Sequence, residues 1–126
     1  MAQPADLLYS KEHEWIKVDG DTATVGITDY AQNSLGDIVY VELPKVGASL
    51  AQFSSVGVVE SVKAVSDLFT PIGGEVTEVN AELENDPALV NREPYAGGWM
   101  FKVKLSDGAQ TGALLSPADY DKLIAE

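Results

Sequence analysis

The stretch ESVKAVSDLFTPIGGEV, residues 60 to 76, places a single lysine among valines and acids and closes on Pro71 and the pair Gly73-Gly74. Alternation from Val56 onward puts Val56, Val58, Glu60 and Val62 on one side of an extended strand, and Gly57, Val59, Ser61 and Lys63 on the other. Lys63 thus comes at the end of a strand, at or near a turn. Ala64-Val65-Ser66 can form the returning strand, and Leu68-Phe69-Thr70-Pro71 lead to the glycine turn. The spacing predicts a lysine displayed at a hairpin tip with strands on both sides.

Outward from that tip, short runs of Val, Ile, Tyr and Phe separated by Gly, Asp, Asn and Pro favour a mainly β chain. Strands are expected at Trp15 to Lys17, Thr22 to Ile27, Asp37 to Glu42, Ser55 to Val62, Glu75 to Val79 and Trp99 to Leu105. Asp19-Gly20-Asp21 reads as the turn of a hairpin joining the first two, because glycine takes a positive φ at no steric cost. A helix of about two turns near residues 29–35 is expected from Thr28 as N-cap, with Gln32 placed to complete the capping and Gly36 placed to end it. A second, near residues 117–125, has Ser116 as N-cap and Pro117 at its first position, with Tyr120, Leu123 and Ile124 on one face for packing against the sheet. Laid over Gly74-Glu75-Val76-Thr77-Glu78-Val79, the segment Gly36-Asp37-Ile38-Val39-Tyr40-Val41 matches in its glycine, acid, β-branched residue and final valine. Six positions leave chance as a competitor to duplication. If the match is structural, Lys63 lies inside the segment between the two copies.

With 126 residues, 45% of them hydrophobic and 22% charged, the chain reads as one globular domain over residues 1–126, with an N-terminal extension at 1–6. Eight basic residues against 20 acidic ones give a net charge of -12, which argues against nucleic acid or an anionic membrane surface as a partner. Apolar runs fall far short of the roughly 20 residues a membrane span needs. The first twenty residues, with Asp6, Glu12, Glu14 and Asp19, resemble neither a secretory signal nor a transit peptide, so a cytoplasmic protein is expected. The absence of cysteine excludes disulfides, thiolate metal sites and a cysteine nucleophile. No metal site is expected: His13-Glu14 opens like a zinc-protease motif, but position 17 is lysine and there is no second histidine. Gly73-Gly74 and Gly97-Gly98 lack the lysine of a phosphate loop and read as turns, while Trp15 and Trp99 read as core before binding platforms.

Lys63 stands apart because from Val46 to Phe101 eight acids are opposed by only Lys63 and Arg92. A surface lysine ordinarily needs no explanation. With Glu60 and Asp67 flanking it, the charged form is favoured, so it is not tuned as a buried amine nucleophile. An exposed lysine on a rigid tip offers instead an attachment point, since acylation of the amine turns a point charge into a tethered cofactor. No catalytic residue is assigned.

The segment Val56-Gly57-Val58-Val59-Glu60-Ser61-Val62-Lys63-Ala64, followed by Ser66-Asp67, Pro71, Gly74-Glu75-Val76 and Val79-Asn80, closely resembles the glycine cleavage H-protein family. His13-Glu14-Trp15, Gly26-Ile27-Thr28, Ala31-Gln32 with Leu35-Gly36-Asp37, Val41-Glu42-Leu43-Pro44, Leu89-Val90-Asn91 and Pro94-Tyr95 with Gly98-Trp99 follow the family pattern in the family order, so the likeness covers roughly residues 7 to 125. It implies a flattened, quasi-symmetric β-barrel or sandwich of the biotinyl/lipoyl-carrier type, a barrel-sandwich hybrid with added helices. It also implies lipoate in amide linkage on Lys63, whose dithiolane would supply the sulfur chemistry a cysteine-free chain lacks. Glu14 matches an acidic residue that lines the cleft receiving the loaded arm, Asp67 a recognition residue beside the lipoyl site, and Glu60 belongs to the same motif. At position 34 some relatives have a histidine that helps form the cleft; Ser34 can hydrogen-bond but cannot carry charge.

By that resemblance the chain is a non-enzymatic shuttle. It would carry an aminomethyl group from a pyridoxal-phosphate-dependent glycine decarboxylase to a tetrahydrofolate-dependent aminomethyltransferase, and be reoxidised by dihydrolipoyl dehydrogenase. A lipoate-attaching enzyme is a further implied partner, and a monomer is expected. The alternatives are a lipoate relay in cofactor assembly, an unmodified binding protein, a biotin carrier, and a 2-oxoacid dehydrogenase-type lipoyl domain. Biotin carriers usually flank their lysine with methionine, whereas here Val62 and Ala64 do so. Lipoyl domains of 2-oxoacid dehydrogenases sit on longer chains.

Overall fold

The computed structural model describes residues 6–106 and 108–125, with the side chains of 108–110 outside that description. In chain order the strands are β1 (Leu8–Tyr9), β2 (Glu14–Asp19), β3 (Thr22–Ile27), β4 (Ile38–Glu42), β5 (Ser49–Leu50), β6 (Ser55–Ser61), β7 (Val65–Phe69), β8 (Gly74–Val79) and β9 (Phe101–Leu105). The α-helices are α1 (Asp29–Leu35), α2 (Glu82–Asn85), α3 (Leu89–Arg92) and α4 (Pro117–Ile124), and a 3-10 helix covers Gly108–Ala113. A six-stranded sheet in the order β1-β2-β3-β9-β8-β5 faces a three-stranded sheet in the order β4-β6-β7, with every pairing antiparallel.

Alternation along the strands supplies the core between them. Ile16, Ala23, Val25, Phe101, Val103 and Val76 come from the larger sheet, and Ile38, Val41, Val59 and Leu68 from the smaller. Ile72 and Met100 fill the middle. A second cluster of Leu7, Tyr9, Trp15 and Tyr120 seats α4 on β1, with the Tyr9 and Tyr120 rings stacked at 4.7 Å. Trp15 is core as expected: its indole N–H donates to the Pro94 carbonyl (2.9 Å), and the ring lies so close over Gly26 that a Cβ there would sit 2.6 Å from it. Trp99 is only half-buried and lies outside β9, with the Lys102 ammonium 5.1 Å from its ring centre.

The caps explain the two longer helices. Thr28 Oγ1 accepts from the Ala31 N–H and Ser116 Oγ from the Asp119 N–H, with Pro117 opening α4. Gln32 does not close the capping arrangement expected of it; its amide donates to Asp29 Oδ1 and accepts from Asn91. The first hairpin has Asp19 opposite Thr22, so Gly20 and Asp21 form a two-residue turn, with φ +65° at Gly20. Further corrections concern strand ends. β7 begins at Val65, not Ala64, because the Ala64 carbonyl and N–H are both taken by Ser61 in the turn, and it runs on to Phe69, not Ser66, because Asp67, Leu68 and Phe69 also pair with β6; β9 begins at Phe101.

The 38-residue echo has a structural counterpart. Its copies become β4 in the small sheet and β8 in the large one. Each carries a register shift at the matching place, between Ile38 and Tyr40 in β4 and between Val76 and Glu78 in β8. Burial follows: Ile38 and Val76 point inward, and both residues after each are exposed.

Candidate functional site

Lys63 lies where the sequence puts it, between β6 and β7. Glu60 is opposite Val65, leaving residues 61–64 to make the turn. Ser61, only 8% exposed, organises it: its N–H donates to the Ala64 carbonyl (2.8 Å), and its Oγ accepts from the N–H groups of Ala64 (3.0 Å) and Lys63 (3.3 Å). The neighbouring chain braces the turn from outside, where the Val62 N–H donates to the Asp37 carbonyl (3.1 Å).

Asp37 is itself held on both sides by Asn91. The Asn91 amide donates to the Gly36 carbonyl (2.8 Å) and to Gln32 Oε1 (2.9 Å), and Asn91 Oδ1 accepts from the Ile38 N–H (2.8 Å). Gly36 ends α1 with φ +82°, a conformation that favours glycine. A Cβ built there would lie 3.6 Å from Lys63 Cε, so the lysine stem passes over bare backbone.

Val62, Lys63 and Ala64 are exposed, and among the described residues Lys63 makes no ion pair. The expected close flanking by Glu60 and Asp67 is therefore not a contact pairing. Glu60 stands on the small sheet between Tyr40 and Val65, and Asp67 stands opposite Val58.

Glu14 opens β2 and is 2% exposed. Ser10 Oγ donates to its Oε1 (2.6 Å) while its own N–H donates to Ser10 Oγ (3.1 Å), and the Phe69 N–H also donates to the carboxylate. Burial pushes this carboxyl up to about 8, with a smaller push from Glu12; the bonds from Ser10 and Phe69 oppose the shift without cancelling it. Next to it, His13 adopts φ +68° and its Nδ1 is 2.8 Å from the Tyr120 hydroxyl, which also meets Thr28 Oγ1 at 2.7 Å. Burial holds the His13 pKa below its ordinary value and the Tyr120 pKa above its own.

In front of Glu14 lies a cavity of about 310 Å³ walled by Phe53, Phe69, Ala113 and Leu115, with Ser10, Lys11 and Glu12 at its polar side. Glu14 reaches it through Ser10 and Phe69, the two residues bonded to its carboxyl. Val65, Asp67 and Phe69 share one side of β7, and Phe69, about 13 Å along the strand from Val65, walls this cavity. Asp67 thus stands on the strand that joins the tip to the cavity, whereas Glu60 stands one strand over and the Lys63 stem lies over Gly36. Ser34 is not brought to the cavity: it is exposed near the end of α1, beside Gly36 and the tip. Ser10 and Phe53 join the site without a signal in the sequence, and Ser61, Phe69 and Asn91, readable there only as motif or strand positions, join it through their bonds and the cavity wall.

Two antiparallel sheets with a lysine-bearing hairpin tip in the smaller one make the barrel-sandwich architecture of lipoyl-type carrier domains. The sequence model of the glycine cleavage H-protein family matches residues 7–126. The glycine cleavage system H protein of Opitutus terrae is 63% identical over 122 residues, 96% of each chain, and that of Carboxydothermus hydrogenoformans is 58% identical, covering 98% of this chain and 95% of that one. A crystal structure of a glycine cleavage system H protein from Mycobacterium marinum superposes with a TM-score of 0.91 at 38% identity, over 98% of this chain and 100% of that one. The chain belongs to the glycine cleavage H-protein family, the carrier component of the glycine cleavage system.

Proposed function

We propose that this chain is the lipoyl carrier of a glycine cleavage system, with lipoate amide-linked to Lys63. It takes an aminomethyl group from a pyridoxal-phosphate-dependent glycine decarboxylase to a tetrahydrofolate-dependent aminomethyltransferase, and dihydrolipoyl dehydrogenase restores it. The observation that carries this is the tip itself: an exposed amine, without an ion pair among the described residues, on a turn fixed by Ser61 from within and by Asp37 and Asn91 from without.

The residues present fit the group. A free amine on a rigid turn suits acylation, and the Phe53, Phe69 and Leu115 walls suit an acyl chain whose far end meets the polar Ser10 side of the cavity. When attached, lipoate supplies the disulfide and dithiol chemistry that a chain without cysteine lacks. The protein's own part is positional. Ser61 and Asn91 hold the attachment point, Gly36 leaves room for the stem, and Phe53 and Phe69 exclude water from the returned arm. Glu14, with Ser10, receives a cationic amine: entry of an ammonium compensates the buried carboxylate, so Glu14 gives up its proton as the ion pair forms. Asp67, on the returning strand of the tip, assists recognition, and Ser34 and Glu60 serve the tip from its two sides.

The test is glycine-dependent decarboxylation with the purified decarboxylase. Release of carbon dioxide should require the lipoylated chain and vanish with Lys63→Arg. Full activity of Lys63→Arg would place the arm elsewhere. An intact lipoylated chain that the decarboxylase ignores would favour the lipoate-relay role.

A further inference from the structure

Next to the tip, the small sheet breaks the alternation of a strand. The register shift between Ile38 and Tyr40 leaves Val39 and Tyr40 both pointing outward, 53% and 49% exposed, while Ile38 and Val41 remain in the core. The matching shift in β8 exposes Thr77 and Glu78, polar residues suited to water. The same backbone device therefore presents a polar pair on the large sheet and an apolar pair on the small one.

The rest of the outer face follows from the register. One row across the three strands is Tyr40, Glu60 and Val65, and the next is Glu42, Val58 and Asp67. Paired residues in adjacent strands project to the same side, so each row spans about 10 Å. Val65 is 67% exposed, and Val62 at the tip above it is 69% exposed. Apolar groups and carboxylates alternate across this face. Among the described residues none of Glu42, Glu60 and Asp67 forms an ion pair, although Lys63 stands at the tip and Lys45 shares a cleft with Glu42. Three carboxylates outside any ion pair of the described residues, set around an exposed tyrosine and valines, are complementary to an apolar surface carrying basic side chains.

We propose that the outer face of the three-stranded sheet, formed by Val39, Tyr40 and Val65 with Glu42, Glu60 and Asp67, docks onto a protein surface of apolar residues interspersed with lysine and arginine. That surface surrounds the entrance through which the partner receives the arm. Docking rests on the carrier role above and adds to it the surface that presents the arm. Tyr40 is the anchor: it is the large aromatic group of the face, and it also walls a cleft of about 570 Å³ with Val46, Leu43 and Pro44 into which a partner side chain fits.

The test uses the lipoylated full chain as substrate of glycine decarboxylase, varying carrier concentration. The double variant Tyr40→Ser/Val65→Ser should raise the KM for the carrier about tenfold or more with kcat unchanged, because the arm and its lysine are untouched. Glu42→Gln/Asp67→Gln should flatten the dependence of that KM on salt. Val18→Ser, exposed on the large sheet, should alter neither. An unchanged KM in the Tyr40/Val65 variant, with the unsubstituted chain fully active, overturns the docking face alone. An inactive unsubstituted chain overturns the carrier role and the face with it.

Discussion

At the scale of single residues, Glu14 is where pH acts on this molecule. Its carboxyl titrates at about 8 in the folded chain against an ordinary value of 4.5, so the folded state binds that proton more tightly than the unfolded state does. The resulting stabilisation is complete below the ordinary value and is lost as pH rises through about 8. His13 acts in the opposite sense, since burial lowers its pKa from 6.5 and the folded state gains as pH rises through that range. Comparison with Glu14→Gln separates the two. Between about pH 5 and pH 8 the unsubstituted chain should lose on the order of a few kcal/mol relative to the variant, read from urea unfolding at each pH. A pH-independent difference would mean that Glu14 is already ionised at its site. Little of this environment was legible in the sequence. Glu14 stood out only through resemblance, because the groups that surround it, Ser10 and the Phe69 N–H, come from a loop and from a strand in the other sheet. Lys63 was legible directly, as a lone cation at the end of an alternating run.

Among elements, the hairpin tip depends on a brace that begins far from it. Asn91 holds Gly36 and Ile38, these fix Asp37, and the Asp37 carbonyl takes the Val62 N–H. Asn91→Ala strips the Ile38 N–H and the Gly36 carbonyl of their partner and should cost about 1–3 kcal/mol, with faster hydrogen exchange at Val62. Exchange at Val62 unchanged in a destabilised variant would show that the turn is held by Ser61 alone. In the larger sheet, Gly26→Ala should cost a similar amount, about 1–3 kcal/mol, because its Cβ would meet the Trp15 ring at 2.6 Å; a neutral thermal shift would mean that the indole can move aside. Most strands with clean alternation were readable to within a residue or two, and the two capped helices likewise, but the strand after the tip runs three residues past Ser66 because Asp67, Leu68 and Phe69 pair with β6. α2 and α3 were not: each has four residues and an alanine at its N-cap with no side-chain bond, so no start signal exists to find. The two-residue strands β1 and β5 are set by their partners alone. The shift at Val39 is equally silent, since Ile38-Val39-Tyr40-Val41 reads as an unbroken strand until its partners fix which side each residue faces.

For the molecule as a whole, quasi-symmetry and charge combine. The echo between residues 36–41 and 74–79 is a pair of strands with matching register shifts, and the segment between them carries β6, the tip and β7. A tethered group on such a tip is delivered locally once a partner is docked, at effective concentrations on the order of millimolar for short flexible linkers. In the proposed role several enzymes share one carrier, so docking would be exchangeable, and a net charge of -12 would steer it. Association with glycine decarboxylase should weaken steadily as salt rises from about 50 to 500 mM; affinity independent of salt would rule out electrostatic steering. All of this stands on one covalent bond at residue 63, and the intact mass of the chain isolated from its native source tests that bond most directly. Amide-linked lipoate adds about 188 Da, and the increment should be absent from Lys63→Arg. An unmodified native chain, or an increment that survives Lys63→Arg, would contradict the assignment.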